Sequence, residues 1–116
     1  MRFVIPYPKH KSAWCKKYGL NAYYSGKHWT ERKKDAEFWH WQTIAAAKGC
    51  RLCQKPVRIS FGFNDRMDID NHAAIAKMII DGLKGRVITD DSRRYVKAVE
   101  MHFHNEDYIE VVIEDV

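Results

Sequence analysis

Between Pro56 and Gly85 the hydrophobic period changes once, and that change limits the folds open to this chain. Behind Pro56, the residues Val57, Ile59, Phe61 and Phe63 alternate with Arg58, Ser60, Gly62 and Asn64. A repeat of two is the period of a strand whose two faces see different surroundings. From about residue 72, Ile75, Ile79 and Leu83 recur every four positions until Gly85. That is the period of one helix face, closed by the residue that most readily ends a helix. Between the two segments lies RMDIDN, Arg66 to Asn71, where Asp70 or Asn71 can cap a helix over about 72–84. A strand, a short acidic turn and an apolar helix in direct succession predict an α+β domain.

The rest of the chain fits around this unit. Arg2–Ile5 is a short strand broken by Pro6 and Pro8. Residues 7–29 lack periodicity and read as loop. Thr30 is a good N-cap for a first helix over 31–48, with Phe38, Trp41, Ile44 and Ala45 at helical spacing and Gly49 behind it. Val87–Thr89 is a short β-prone piece. Segments 95–104 and 108–114 alternate and read as a hairpin turning at Asn105, Glu106 and Asp107. The expectation is one domain over residues 1–116, a small mixed sheet with two main helices in the order β-α-β-α-β-β. A length of 116 residues suits a single domain. No apolar run approaches the roughly 18 residues of a membrane span. The N-terminus has no apolar leader segment, so the setting expected is cytoplasmic.

Charge is divided unevenly. Residues 1–64 carry 13 Lys and Arg against 3 Asp and Glu, whereas residues 65–116 carry 7 against 12. A basic half beside an acidic cluster suits a metal-dependent enzyme acting on a polyanion, and it also suits an ordinary solvated surface. The three cysteines, Cys15, Cys50 and Cys53, are too few and too uneven for a disulfide framework. Cys50 and Cys53 have a C-x-x-C spacing, but no second cysteine pair completes a zinc site. They read as part-buried thiols.

The acids carry the chemical interest. Asp68 and Asp70 stand two apart, so in extended chain both face one side. Two carboxylates at a helix start can hold a hard cation that keeps waters for a phosphate substrate, or they can simply cap and turn. Asp90 and Asp91 follow the helix. For Asp91 to join Asp70, residues 86–90 must run extended and antiparallel to the helix, because the helix is about 20 Å long at ~1.5 Å per residue. Asp70, Lys77, Asp81 and Lys84 share a helical face. Lys77 can therefore face the site, or pair with Asp81 at the surface.

Taken together, DIDN at 68–71, KMIIDGLKG at 77–85 and ITDDS at 88–92 resemble the RusA family of Holliday-junction resolvases, small endonucleases common in prophages. The similarity extends weakly to GLNAYYSGKHW at 19–29. It implies a homodimer that binds four-way DNA and cleaves it with Mg²⁺, or with Mn²⁺ as a substitute, in recombination and repair. The family's paired metal-binding aspartates match Asp68 and Asp70. Its later essential aspartate matches Asp91, with Asp90 beside it as a ligand or near neighbour, and its helix lysine matches Lys77. The usual place for that lysine, four residues after the second aspartate, holds Ala74; seven residues return to the same face.

The DNA backbone would be gripped by Lys9, Lys11, Lys16, Lys17, Lys27, Arg32, Lys33 and Lys34, with Arg93 and Arg94 beside the acidic pair. Tyr23, Tyr24 and Trp29 can stack on bases or pack locally. His28 and His72 read as surface or cap histidines. The terminal strands can pair with each other or across a dimer interface. Two other readings stay open: a related nuclease for flaps or other branched DNA, and a non-catalytic nucleic-acid-binding phage protein.

Overall fold

The computed structural model describes residues 1–20 and 27–116. In chain order the described elements are β1 (Arg2–Pro6), α1 (Lys11–Tyr18), α2 (Trp29–Ala46), β2 (Val57–Phe63), a 3₁₀ turn (Ile69–His72), α3 (Ala73–Leu83), β3 (Val96–Phe103) and β4 (Tyr108–Asp115). They form an α+β fold in which one mixed sheet, ordered β1-β4-β2-β3, is covered by helices on one face.

The alternation in β2 sets the two layers. Val57, Ile59, Phe61 and Phe63 are fully buried, while Arg58 on the opposite face is exposed. β4 repeats the pattern with Ile109, Val111 and Ile113, and β1 adds Phe3 and Ile5. Over this floor α3 lays Ile75, Met78, Ile79 and Leu83. The open face carries Arg2–Glu110 and Arg58–Glu114 ion pairs at 2.6 and 2.8 Å, exposed enough to add little stability.

Three expectations change. First, residues within the expected loop 7–29 form α1, whose Trp14 and Tyr18 enter the core. Only those two residues mark its buried face, too few to show a period. Second, α2 begins at Trp29 with His28 as its cap: His28 Nδ1 accepts from the Thr30 amide at 3.2 Å. Third, β3 and β4 are not a hairpin. β2 lies between them, parallel to β3 and antiparallel to β4. Placing β2 between them gives its buried residues neighbours from both adjoining strands. Tyr23 and Tyr24, with most of the GLNAYYSGKHW stretch, lie outside the described residues. Among the described residues no helix is long and apolar enough to cross a membrane.

The two main helices meet closely at Gly82. A Cβ there would lie 3.0 Å from Thr43 Cβ and 3.4 Å from the backbone of His40. Thr43 is fully buried and bonded through Oγ1 to the Trp39 carbonyl at 2.7 Å, so it cannot yield. Gly82→Ala gains about 1 kcal/mol of helix propensity but costs about 1–3 kcal/mol in overpacking. A lower urea midpoint than wild type is the expected result.

Candidate functional site

Asp65 organises the turn that carries the first two acids. Its carboxylate accepts from His72 Nε2 at 2.8 Å, from the Tyr7 hydroxyl at 2.9 Å and from the Met67 amide at 2.9 Å. Both side chains of the Asp65–His72 pair are fully buried. The other ring nitrogen, His72 Nδ1, lies 3.1 Å from the Ile69 carbonyl. Both ring nitrogens thus face oxygen atoms of the same turn, which fixes the ring between Asp65 and Ile69. Phe63 stacks on that ring at 4.0 Å. Burial pushes the Asp65 carboxyl up, but the hydrogen bonds from His72 and Tyr7 outweigh it and hold the group below its ordinary value. The Tyr7 phenol, buried against this carboxylate, is pushed well above its ordinary range. The expected surface or cap role of His72 is thus corrected: it is a core histidine that clamps residues 65–72. Only its position seven residues after an aspartate hinted at this, and that spacing means nothing before the turn is folded.

On this clamped turn, Asp68 is extended backbone and Asp70 lies in the 3₁₀ turn, and both are exposed. The Asn71 amide bonds the Asp68 carbonyl at 3.1 Å. No side chain caps α3; His72 occupies the cap position without a cap bond. The turn sits at the C-terminal end of β3, where the His72 ring meets Phe103 at 5.8 Å.

Asp91 is at the other end. After Leu83 the chain closes tightly: the amides of Arg86, Val87 and Ile88 all bond the Leu83 carbonyl. Ile88 then bridges to Cys53 and Lys84, and Ser92 leads into β3 through bonds from Tyr95 and Val96. The extended return along α3 does not occur. Asp91 pairs with Lys84 at 3.5 Å, near the C-terminal end of α3. Asp70 precedes α3, which is about 16 Å long, whereas Asp91 follows it. Carboxylates sharing one Mg²⁺ need oxygens ~2.1 Å from it. Among the described residues no three His, Cys, Asp or Glu side chains gather closely enough to hold a metal ion.

A groove between α3 and β3 is lined by Ala73, Ala76, Lys77, Asp81, Asp91 and Met101. Lys77 is exposed and pairs with Asp81 at 3.4 Å. Asp90 is half-buried beside Asp91.

The basic residues divide. Lys16, Lys33, Lys34, Arg93 and Arg94 are exposed and available to a polyanion. Lys17 and Lys27 instead converge on buried Asp35, and the Lys27 ammonium is itself nearly buried. Arg32 is half-buried with Nε inside the fold. Lys27 therefore serves as a counter-charge for the buried Asp35 of α2. Lys11 is bonded to Asp107 and the Asn64 carbonyl. The three cysteines are free thiols, half-buried; burial pushes Cys15 and Cys53 up, and Cys53 donates to Asp115 at 3.3 Å.

No protein-family model matches this chain, and no curated protein matches it at a significant level.

Proposed function

We propose that the protein is a metal-dependent, structure-selective endodeoxyribonuclease that resolves Holliday junctions as a homodimer, with the site completed between two copies. The observation that carries this reading is the placement of the acids. Asp68 and Asp70 stand at one end of β3 and Asp91 at the other, all three exposed. β3 is an edge strand, exposed on most of its length, with Val99 43% and Phe103 50% exposed. Unpaired edges of this kind invite pairing with another strand. If two β3 edges pair antiparallel about a two-fold axis, the ends exchange, and Asp91 of a second copy arrives beside Asp68 and Asp70.

Mg²⁺, or Mn²⁺ in its place, would supply Lewis acidity at the scissile phosphate and an acidified water. Asp68 and Asp70 would hold it from the clamped turn, and Asp91 of the second copy would add the third carboxylate, with Asp90 beside it. Lys77 would leave Asp81 to meet charge building on the phosphate. Exposed Lys16, Lys33, Lys34, Arg93 and Arg94 would hold the DNA backbone. A two-fold dimer presents two such sites, which suits paired nicking of a four-way junction.

The test is a Mg²⁺ titration with end-labelled four-way, forked, flapped and plain duplex DNA. Two symmetric nicks confined to the four-way junction are expected. Cuts on flaps or forks instead would favour the broader branched-DNA nuclease. Tight binding with no cut in Mg²⁺ or Mn²⁺ would overturn the enzymatic reading in favour of a non-catalytic DNA-binding protein.

A further inference from the structure

The outward face of α2 carries an exposed tryptophan, Trp41, beside a partly packed Phe38. Its buried side repeats every four residues, through Asp35, Trp39, Thr43 and Ala47. At about 100° per residue, Trp41 points roughly 180° away from the centre of that stripe. It is 68% exposed, and neighbouring Phe38 is 43% exposed. Lys34 lies on the same face before the aromatic pair, Lys48 lies in the turn that follows the helix, and both are exposed. Lys34, Phe38, Trp41 and Ala45 are spaced 4, 3 and 4, so these side chains form one continuous stripe on α2, and Lys48 follows in the turn just past its end. Glu37 is the one acid among them, and Lys33 adjoins them.

Single exposed apolar residues are common and need no explanation. A tryptophan set opposite the core, with an aromatic one turn away and lysines at both ends, is a more particular arrangement. We propose that this face is a stacking platform for unpaired DNA bases, with Trp41 as the principal stacking ring, Phe38 as the second, and Lys34 and Lys48 as phosphate contacts. The occupant is argued from charge and shape. An aromatic ring offers a base a flat face whatever its identity, and the flanking ammonium groups match the phosphates on either side. The stripe is about 16 Å from Lys34 to Ala45, long enough to follow several nucleotides of a splayed strand. Phe38 is held for this role: Tyr18 stacks on it at 6.2 Å with planes 5° apart, and Trp39 meets its edge at 5.7 Å. Its use rests on the branched-DNA reading above, since a junction supplies unpaired bases where it opens, but stacking itself needs neither metal nor cleavage.

The experiment is therefore run in EDTA with fluorescein-labelled dT12 and, separately, a 12-base-pair duplex. Wild-type protein should bind dT12 at low salt and quench tryptophan emission. Trp41→Ala should weaken dT12 binding by roughly tenfold and leave duplex binding unchanged. Trp41→Phe should keep most of the affinity. Lys34→Ala with Lys48→Ala should flatten the salt dependence. Equal dT12 affinity for Trp41→Ala and wild type would overturn the proposal. So would a change in sedimentation on Trp41→Ala without a change in dT12 affinity, because the face would then be covering another copy of the chain. Absence of nuclease activity with dT12 binding intact would count against the catalytic reading alone.

Discussion

Mixing Asp70→Asn protein with Asp91→Asn protein should restore DNA nicking that neither variant shows alone. Each variant by itself should lose about a thousand-fold or more, since a metal's contribution to the transition state is several kcal/mol and each factor of ten is ~1.36 kcal/mol. Each should still bind the junction, because the basic residues are untouched. In the mixture, a heterodimer built across β3 contains one site with both substitutions and one with neither. Random reassortment makes half the dimers mixed, so roughly a quarter of the wild-type number of sites returns. Those sites nick one strand of a junction rather than two opposed strands. If the acids worked within one chain, every site in every heterodimer would carry a substitution and no activity would return. Heterodimers verified with two different affinity tags, yet inactive, would sink the shared-site arrangement. The prediction follows from placement: the tight closure over Leu83 leaves Asp91 paired with Lys84, and among the described residues of one chain no three acids gather to hold a metal ion.

The second large effect is on stability. Asp65→Ala should cost about 3–5 kcal/mol, because it removes the shared acceptor of the buried His72 ring, the Tyr7 hydroxyl and the Met67 amide. That is a large part of the ~5–15 kcal/mol that holds a domain together. Chemical denaturation at pH 7 measures it directly. The carboxyl of Asp65 is held below its ordinary value of 3.8 by His72 and Tyr7 working against burial. A group whose folded value is depressed stabilises the fold at pH above its unfolded value and loses that contribution as pH falls through the folded one. Wild type should therefore lose stability steeply below about pH 4. Asp65→Asn, already less stable, should lose less over the same interval. Equal acid slopes for the two proteins would show that the hydrogen bonds of Asp65 do not hold its carboxyl down in the native fold. The functional consequence is local, since Asp65 and His72 bracket Asp68 and Asp70 and determine where those carboxylates point.

How much of this was legible beforehand depends on the range over which each feature is decided. β2 and α3 were readable because their periods are properties of a single segment: Val57 to Phe63 at two, Ile75 to Leu83 at about four. α2 was readable to within two residues at each end. α1 was not, because Trp14 and Tyr18 alone mark its buried side and a helix that short takes its stability from packing, here against Trp39 at 5.6 and 5.4 Å.

The candidate site divides in the same way. The sequence by itself determined an exposed acidic pair between a strand and a helix, a lysine on that helix's outer face and a second acidic pair beyond it. Only the tertiary structure decided that His72 is sealed against Asp65, that Lys27 is spent on Asp35, that β2 separates β3 from β4, and that Asp91 stays at the far end of β3. The physical reason is that side-chain period is set by local backbone geometry, whereas strand neighbours, buried ion pairs and loop paths are set by which apolar faces the whole chain can cover together.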